Sequence, residues 1–393
     1  MSTLEGSALS CAEVLSRIED IRPVLTEAIP RIEAARCLPS EVVDALRRTG
    51  VFAMVMPRAR GGPELDPIEQ FHVVEALARI DASIGWCVMI GSDSGYYSAF
   101  LDPDVAVELW PSLDLVTAGW VAPGGQGEVT DGGYRLSGRW SFGSGCQHAD
   151  VFVGGFLVSD AGVPRFGPDG RPELRVAVFD PSAVEIHDTW HTTGLAGSGS
   201  TDYSVTELMV PFEHTFSLLG GAVGTRRSEP LYAYPAMFLS NLAAVPLGVA
   251  RASLDEFRRL AEEKMVMPAM HPLRDEARAQ TAMGRAEALW ASGRAWALDV
   301  LGELWDVLIA GGQPSAELRA RFRLSAANAC TNAREATELL YRAAGSTAIY
   351  STSPLDRHYR DQATMAAHIV SAERNFEIAG RVLLGIETNE PLY

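Results

Sequence analysis

From about Cys11 to Pro111 apolar residues recur every three or four positions, the spacing that gathers them into one stripe of a helix. The run PSEVVDALRRTG opens on Pro-Ser and closes on Gly50, which predicts a helix stopped by glycine. After the loop MPRARGGPELDP the same spacing predicts helices over IEQFHVVEALARID and SIGWCVMIGSDSGYYSAFL. Near Leu115 the period changes. As far as Glu213 the segments are short, alternating and rich in β-branched and aromatic residues: GYRLSGRWSFGS, DVFVGGFLV, LRVAVFD and YSVTELMVP. With turn signals such as Asp131-Gly132-Gly133 between them, they predict a small all-β barrel or sandwich. From about Pro230 the helical period returns in four long alanine-rich segments with short joins, the pattern of an antiparallel four-helix bundle. Pro246 either kinks the first of these or marks its true start. The expected fold is mainly α with a central all-β domain, divided into 1–114, 115–225 and 226–393.

Composition narrows the function classes. Of 393 residues, 47% are hydrophobic and 21% charged, the balance of a folded globular protein. A net charge of −17 argues against nucleic acid and anionic membrane as partners, since phosphates require a basic face. The start, MSTLEGSALS, lacks the basic and apolar regions of a signal peptide, and no uninterrupted apolar run reaches the roughly 18 residues of a membrane span. Cys11, Cys37, Cys87, Cys146 and Cys330 are scattered without CxxC spacing, as reduced thiols are. A cytoplasmic location is expected.

Three segments carry candidate chemistry. In GRWSFGSGCQHAD, simple alternation puts Trp140 and Phe142 on one face of a strand; Gly143 and Gly145 admit a flat ligand, and Ser144 offers a hydroxyl and an amide. The same text also describes a buried aromatic strand ending in a glycine turn. TGLAGSGSTDYSVTELMVP holds Gly194, Gly197 and Gly199, but it leads into a strand and has no lysine, which opposes a phosphate loop. The third segment, RAAGSTAIYSTSPLDRHYRDQATMAAH, contains Arg342, Gly345, the Arg360-Asp361 pair and His368. No G-x-G-x-x-G opens a βαβ unit, so no nicotinamide domain is expected.

The order helices, β domain, helical bundle resembles the acyl-CoA dehydrogenase superfamily, and the wording W-S-F-x-S-G resembles its flavin-dependent two-component monooxygenase branch, the group D hydroxylases. The resemblance implies that Trp120, Ala122, Trp140, Phe142, Ser144 and Gly145 lie along a flavin ring. It also implies that Arg342 and Gly345 serve the pyrophosphate and the turn that follows. The loop from Thr193 is implied to edge the active site. The implied cofactor is FAD in its reduced form, FADH2, with FMN as the alternative, because the segment MVMPAMHPLRD departs from the dehydrogenase pattern that holds the adenine half. A homotetramer is implied, with neighbouring bundles completing each site.

An acyl-CoA dehydrogenase needs a carboxylate base. In most of the family it is a glutamate on the last helix, and here no acidic residue lies between Asp361 and Glu373. His368 instead stands on the expected helix beside Met365 and Ala372, two turns beyond Asp361, where a lone histidine is ordinarily core. The hydroxylases it resembles have Arg-Asp followed by histidine at this spacing. The resemblance thus implies a monooxygenase that forms a flavin C4a-(hydro)peroxide from O2 and hydroxylates a small aromatic or indole-like substrate. His368 would bond oxygen or take a proton, and Ser144 would hold the N5 region. A separate NAD(P)H-dependent flavin reductase would supply the reduced cofactor. The alternatives are an N-oxygenase of amino sugars, an acyl-CoA dehydrogenase with a displaced base, and a scaffold without cofactor. His148 is held in reserve, and Trp86, Ser92, Ser94, Tyr96 and Tyr97 read as core or interface packing rather than pocket.

Overall fold

The computed structural model describes residues 9–167, 170–218 and 227–386; the domain boundary expected at 225/226 lies outside the described residues. The helical period of the first block produces α1 (Cys11–Ala35), α2 (Ser40–Thr49), α3 (Pro67–Ala78), α4 (Ala82–Gly91), α5 (Ser94–Ser98) and α6 (Pro103–Leu109). Ser10 and Glu13 form a capping box on α1, as Asp66 and Glu69 do on α3, so the orphan amides of both helix starts are satisfied. Gly50 ends α2 at φ 87°, a conformation that favours glycine. The segment expected as one helix through Trp86 and Tyr97 is two, α4 and α5, separated at Ser92-Asp93.

The alternating block forms β1 (Thr117–Thr130), β2 (Gly133–Gly143), β3 (Val151–Asp160), β4 (Val163–Pro164), β5 (Leu174–Phe179), β6 (Glu185–His187), β7 (Thr201–Pro211) and β8 (Thr215–Phe216). They make one sheet in the order β6-β7-β2-β1-β3-β5-β8, with β4 on β3. All pairs are antiparallel except β1 with β3. Strands that are not ladder neighbours meet across the interior, where Trp140 of β2 lies 5.9 Å from Phe179 of β5 and stacks on Tyr203 at 5.2 Å. The sheet therefore curls around an aromatic core of its own.

The last block gives α7 (Ala244–Glu263), α8 (Ala277–Ile309), α9 (Ala316–Ala344), α10 (Pro354–Met365) and α11 (Arg374–Leu383). Pro246 lies in the first turn of α7, so it marks the true start and not a kink. The stretch Pro235–Glu263 is apolar enough to span a membrane by composition, yet 83% of its most apolar window is buried inside the fold. Gly248 brings α7 so close to α3 that a β-carbon there would stand 2.6 Å from the Glu75 carbonyl oxygen. The fourth expected segment is interrupted: α10 stops at Met365, and a short 3-10 turn, Ile369–Ser371, precedes α11. Ion pairs cross the blocks: Arg47 with Asp150 (2.6 Å), Arg36 with Asp188 (2.7 Å), Arg294 with Glu75 (2.7 Å) and Arg360 with Glu33 (2.7 Å).

Candidate active site

Where α4, the end of β2, the Trp190–Ser200 loop and the α10–α11 junction converge, they enclose a cavity of about 650 Å³, within the range of roughly 300–1,000 Å³ usual for small-molecule sites. Its lining includes Trp86, Trp120, Phe142, Ser144, Trp190, Thr193, Thr364 and His368. Among the described residues His368 is the one titratable group in that lining, and no Asp, Glu, Lys or Arg contributes to it.

The aromatic wall depends on a break in β2. Its register to β7 shifts between Trp140 and Gly143, and Phe142 takes φ 64°. Left-handed backbone is uncommon for a bulky residue and costs about 1–3 kcal/mol. The break turns Phe142 out of the alternation. The residue is 56% exposed, and its ring stands 6.2 Å from the ring of Trp120 and 6.3 Å from that of Trp190. Trp140, expected beside it, stays inside the β domain, where it donates from Nε1 to the Gly155 carbonyl oxygen at 2.7 Å. That expectation is corrected: the bulge separates the faces of two residues that plain alternation would align. Replacing Phe142 by glycine is expected to raise thermal stability or leave it unchanged, while weakening binding of the planar ligand about tenfold. Melting curves and equilibrium titration of the variant check both.

Trp86 on α4 donates from Nε1 to Ser144 Oγ at 3.0 Å, and Ser144 Oγ lies 2.7 Å from Ser200 Oγ. Trp86 was read as packing; here it both lines the cavity and holds the serine, whereas Ser92, Ser94, Tyr96 and Tyr97 are buried outside the lining. Gly145 follows at φ 74° and donates from its amide to the Ser198 carbonyl oxygen, which ties β2 to the glycine loop. That loop is clamped to α10. Asp361 Oδ1 accepts from the Leu195 amide at 2.6 Å, and Arg360 donates to the Thr193 carbonyl oxygen. Burial, and then the nearby Asp81, push the Asp361 carboxyl up to about 7.

His368 is not on a helix. It caps the 3-10 turn, its Nδ1 accepting from the Val370 amide at 3.3 Å, which leaves the proton of the neutral ring on Nε2. Burial lowers its pKa to about 4, so the ring is neutral at working pH. Its ring meets the Trp86 ring edge-on at 5.4 Å. Serine and histidine are thereby brought onto one cavity by a shared tryptophan.

The other expected residues lie elsewhere. Ala122 sits in β1 at an irregular register to β3, outside the lining. Arg342 and Gly345 are at the C-terminal end of α9; Arg342 is 75% exposed and pairs with Glu338, and Gly345 has φ 64°. His148 also stands apart from the lining; its two ring nitrogens are buried without a hydrogen-bond partner among the described residues, and burial lowers its pKa to about 4. The sequence singles out the loop from Thr193 that holds Leu195 and Ser200 but neither residue by itself, and Trp190 lies before Thr193.

A planar tricyclic ring fits these residues. A phenylalanine is held outward between two tryptophans, and a serine hydroxyl stands at the edge of a cleft that carries no acidic or basic group but His368 among the described residues.

Comparison with known proteins places these features. Family models described as "Acyl-CoA dehydrogenase, N-terminal domain" and "Acyl-CoA dehydrogenase, C-terminal domain" match residues 19–101 and 240–373. The chain is 31% identical to an indole-3-acetate monooxygenase of Pseudomonas putida over 89% of this chain and 88% of that protein. It is 29% identical to the oxygenase subunit HsaA, a flavin-dependent monooxygenase of Mycobacterium tuberculosis, over 96% and 97%. The crystal structure of the HsaA monooxygenase superposes with a TM-score of 0.88 at 26% identity, covering 98% of this chain and all of that one.

Proposed function

The chain belongs to the acyl-CoA dehydrogenase superfamily, as a flavin-dependent monooxygenase of the oxygenase-component type, and from that premise we propose that it hydroxylates a small planar aromatic, indole-like or phenolic, in the cavity between Ser144 and His368. The observation that carries this reading is the lining itself: an aromatic slot with threonine hydroxyls, one neutral imidazole and no carboxylate among the described residues. A dehydrogenase would need a carboxylate at the reacting carbon, and the nearby Asp361 is committed to the Leu195 amide behind the wall.

The flavin supplies two electrons to O2. Around it this chain's residues divide the work. Trp120 and Phe142 would flank the ring, Ser144 would meet its polar edge, and His368 would donate a hydrogen bond from Nε2 to oxygen while the aromatic walls exclude water. FAD in reduced form is the proposed cofactor. The exposed Arg342 is suited to hold its pyrophosphate against a neighbouring subunit. Exposed Ile349, Tyr350 and Leu384 favour association with further copies of the chain, and the proposed assembly is a homotetramer. A separate NAD(P)H flavin reductase would deliver the reduced cofactor.

Stopped-flow mixing of the protein and anaerobically reduced FAD or FMN with oxygenated buffer tests the function. The expected result is a transient absorbance that outlasts reoxidation of free flavin, with label from isotopic O2 appearing in a phenol or indole product. Reoxidation at the free-flavin rate, together with turnover of acyl thioesters, would overturn it.

A further inference from the structure

Four side chains at the cavity wall, Trp86, Ser144, Ser200 and Ser198, form a hydrogen-bond chain with a donor-only group at one end and an acceptor-only group at the other. At one end the Leu195 carbonyl oxygen, which can only accept, receives Ser198 Oγ–H at 2.7 Å and Trp190 Nε1–H at 2.9 Å. Ser198 has then spent its proton, so toward Ser200 Oγ, 2.7 Å away, it can only accept. Ser200 in turn spends its own proton on Ser198 and must accept from Ser144 Oγ at 2.7 Å. At the other end the indole N–H of Trp86, a donor only, points at Ser144 Oγ. All three serines are buried (Ser144 6%, Ser198 1% and Ser200 4% exposed), which leaves little water to reverse the chain. Ser144 is thus left with a single free lone pair and no free proton toward the cavity.

We propose that Ser198 and Ser200 are positioning residues that make Ser144 an obligate hydrogen-bond acceptor, and that this polarity selects the reduced flavin over the oxidised one. The inference rests on the reading that the flavin's polar edge meets Ser144. The chemistry is general: N5 of a reduced flavin carries a hydrogen and donates, whereas N5 of an oxidised flavin has a lone pair and accepts. An acceptor-only serine rewards the first and opposes the second. Selectivity for the reduced state would then be set two residues away from the cofactor, through the order of protons along the chain.

The test measures binding and potential, not turnover. Wild type, Ser144→Ala, Ser200→Ala, Ser198→Ala and Ser200→Thr are titrated with oxidised FAD and, anaerobically, with reduced FAD; the bound midpoint potential follows from the two affinities. Wild type is expected to bind the reduced form more tightly. Ser200→Ala and Ser198→Ala each free the Ser144 proton to turn toward the cavity. Each should therefore lower the ratio of oxidised to reduced dissociation constants about tenfold, a fall of about 30 mV for a two-electron couple. Ser200→Thr keeps the hydroxyl and should keep the ratio, which a merely structural role for Ser200 would not require. If Ser144→Ala lowers the ratio but neither relay variant does, the relay proposal fails while the site stands. If Ser144→Ala itself leaves both affinities unchanged, Ser144 does not meet the flavin, and the site reading fails with the proposal.

Discussion

Alanine at position 368 is expected to cut product formed per O2 consumed by about 100-fold, the oxygen leaving as hydrogen peroxide, while affinity for reduced flavin stays within about threefold of wild type. His368 is the one titratable group lining the cavity among the described residues, and its Nδ1 is engaged by the Val370 amide. Its chemistry toward the cavity is therefore donation from Nε2–H. Asparagine separates that role from a base: it can present an amide N–H and still offer an oxygen to the turn, so His368→Asn should recover a large part of the coupling that alanine loses. If asparagine is as uncoupled as alanine, donation is not what the residue supplies. The pH dependence has a definite sign. Burial depresses the pKa to about 4, so the ring is neutral above that value; only as pH falls through about 4 does a proton on Nδ1 displace the bond from the Val370 amide, while Nε2–H remains a donor. Coupling in wild type should show no His368 limb near 6.5. Parallel measurements of oxygen uptake, peroxide and product across pH check each statement.

Much of this arrangement was readable beforehand, for reasons that also explain what was not. The three blocks follow from a change of period, and periodicity is a local property that burial enforces residue by residue. Gly50, Pro246 and the strand-to-loop glycines have the roles their chemistry allows. The comparisons agree with the family to which the W-S-F-x-S-G wording pointed. The failures are tertiary. Ala366–Ser371 contains neither proline nor glycine, yet the helix breaks there. Asn375 Nδ2 donates to the carbonyl oxygens of Ile369, Val370 and Ala372 at 2.7, 2.9 and 3.1 Å, which offers that backbone an alternative to the helical ladder. The break is what turns His368 into a cap facing the cavity. Phe142 and Trp140 were aligned by a period of two that the bulge does not keep. Trp86 sits in a run apolar on all sides, where no pattern distinguishes a wall residue from core.

The second large effect concerns the loop and not the reacting groups. At Gly194 an added β-carbon would stand 2.0 Å from the Arg360 carbonyl oxygen and 2.6 Å from Thr364 Oγ1, both on α10. One of those contacts is backbone, so no rotamer change can make room. Gly194→Ala must lift the loop, stretching the bond from the Leu195 amide to Asp361 and the contact of Arg360 with the Thr193 carbonyl oxygen. A buried amide and a buried carboxyl left unpaired cost about 1–3 kcal/mol. The functional loss should be larger, because Thr193, Leu195 and Ser200 form one wall of the cavity and Leu195 anchors the serine chain. Hydroxylation is expected to fall at least ~100-fold, with melting lowered by several degrees. Gly380→Ala is the control, since it lies within α11 with no atom near its β-carbon position, and there alanine should stabilise by about 0.5–1 kcal/mol. Were Gly194→Ala as active and as stable as Gly380→Ala, the seat of the loop on α10 would not be what shapes the cavity. The site would then have to be held from β2 and α4 alone, through Gly145 and Trp86.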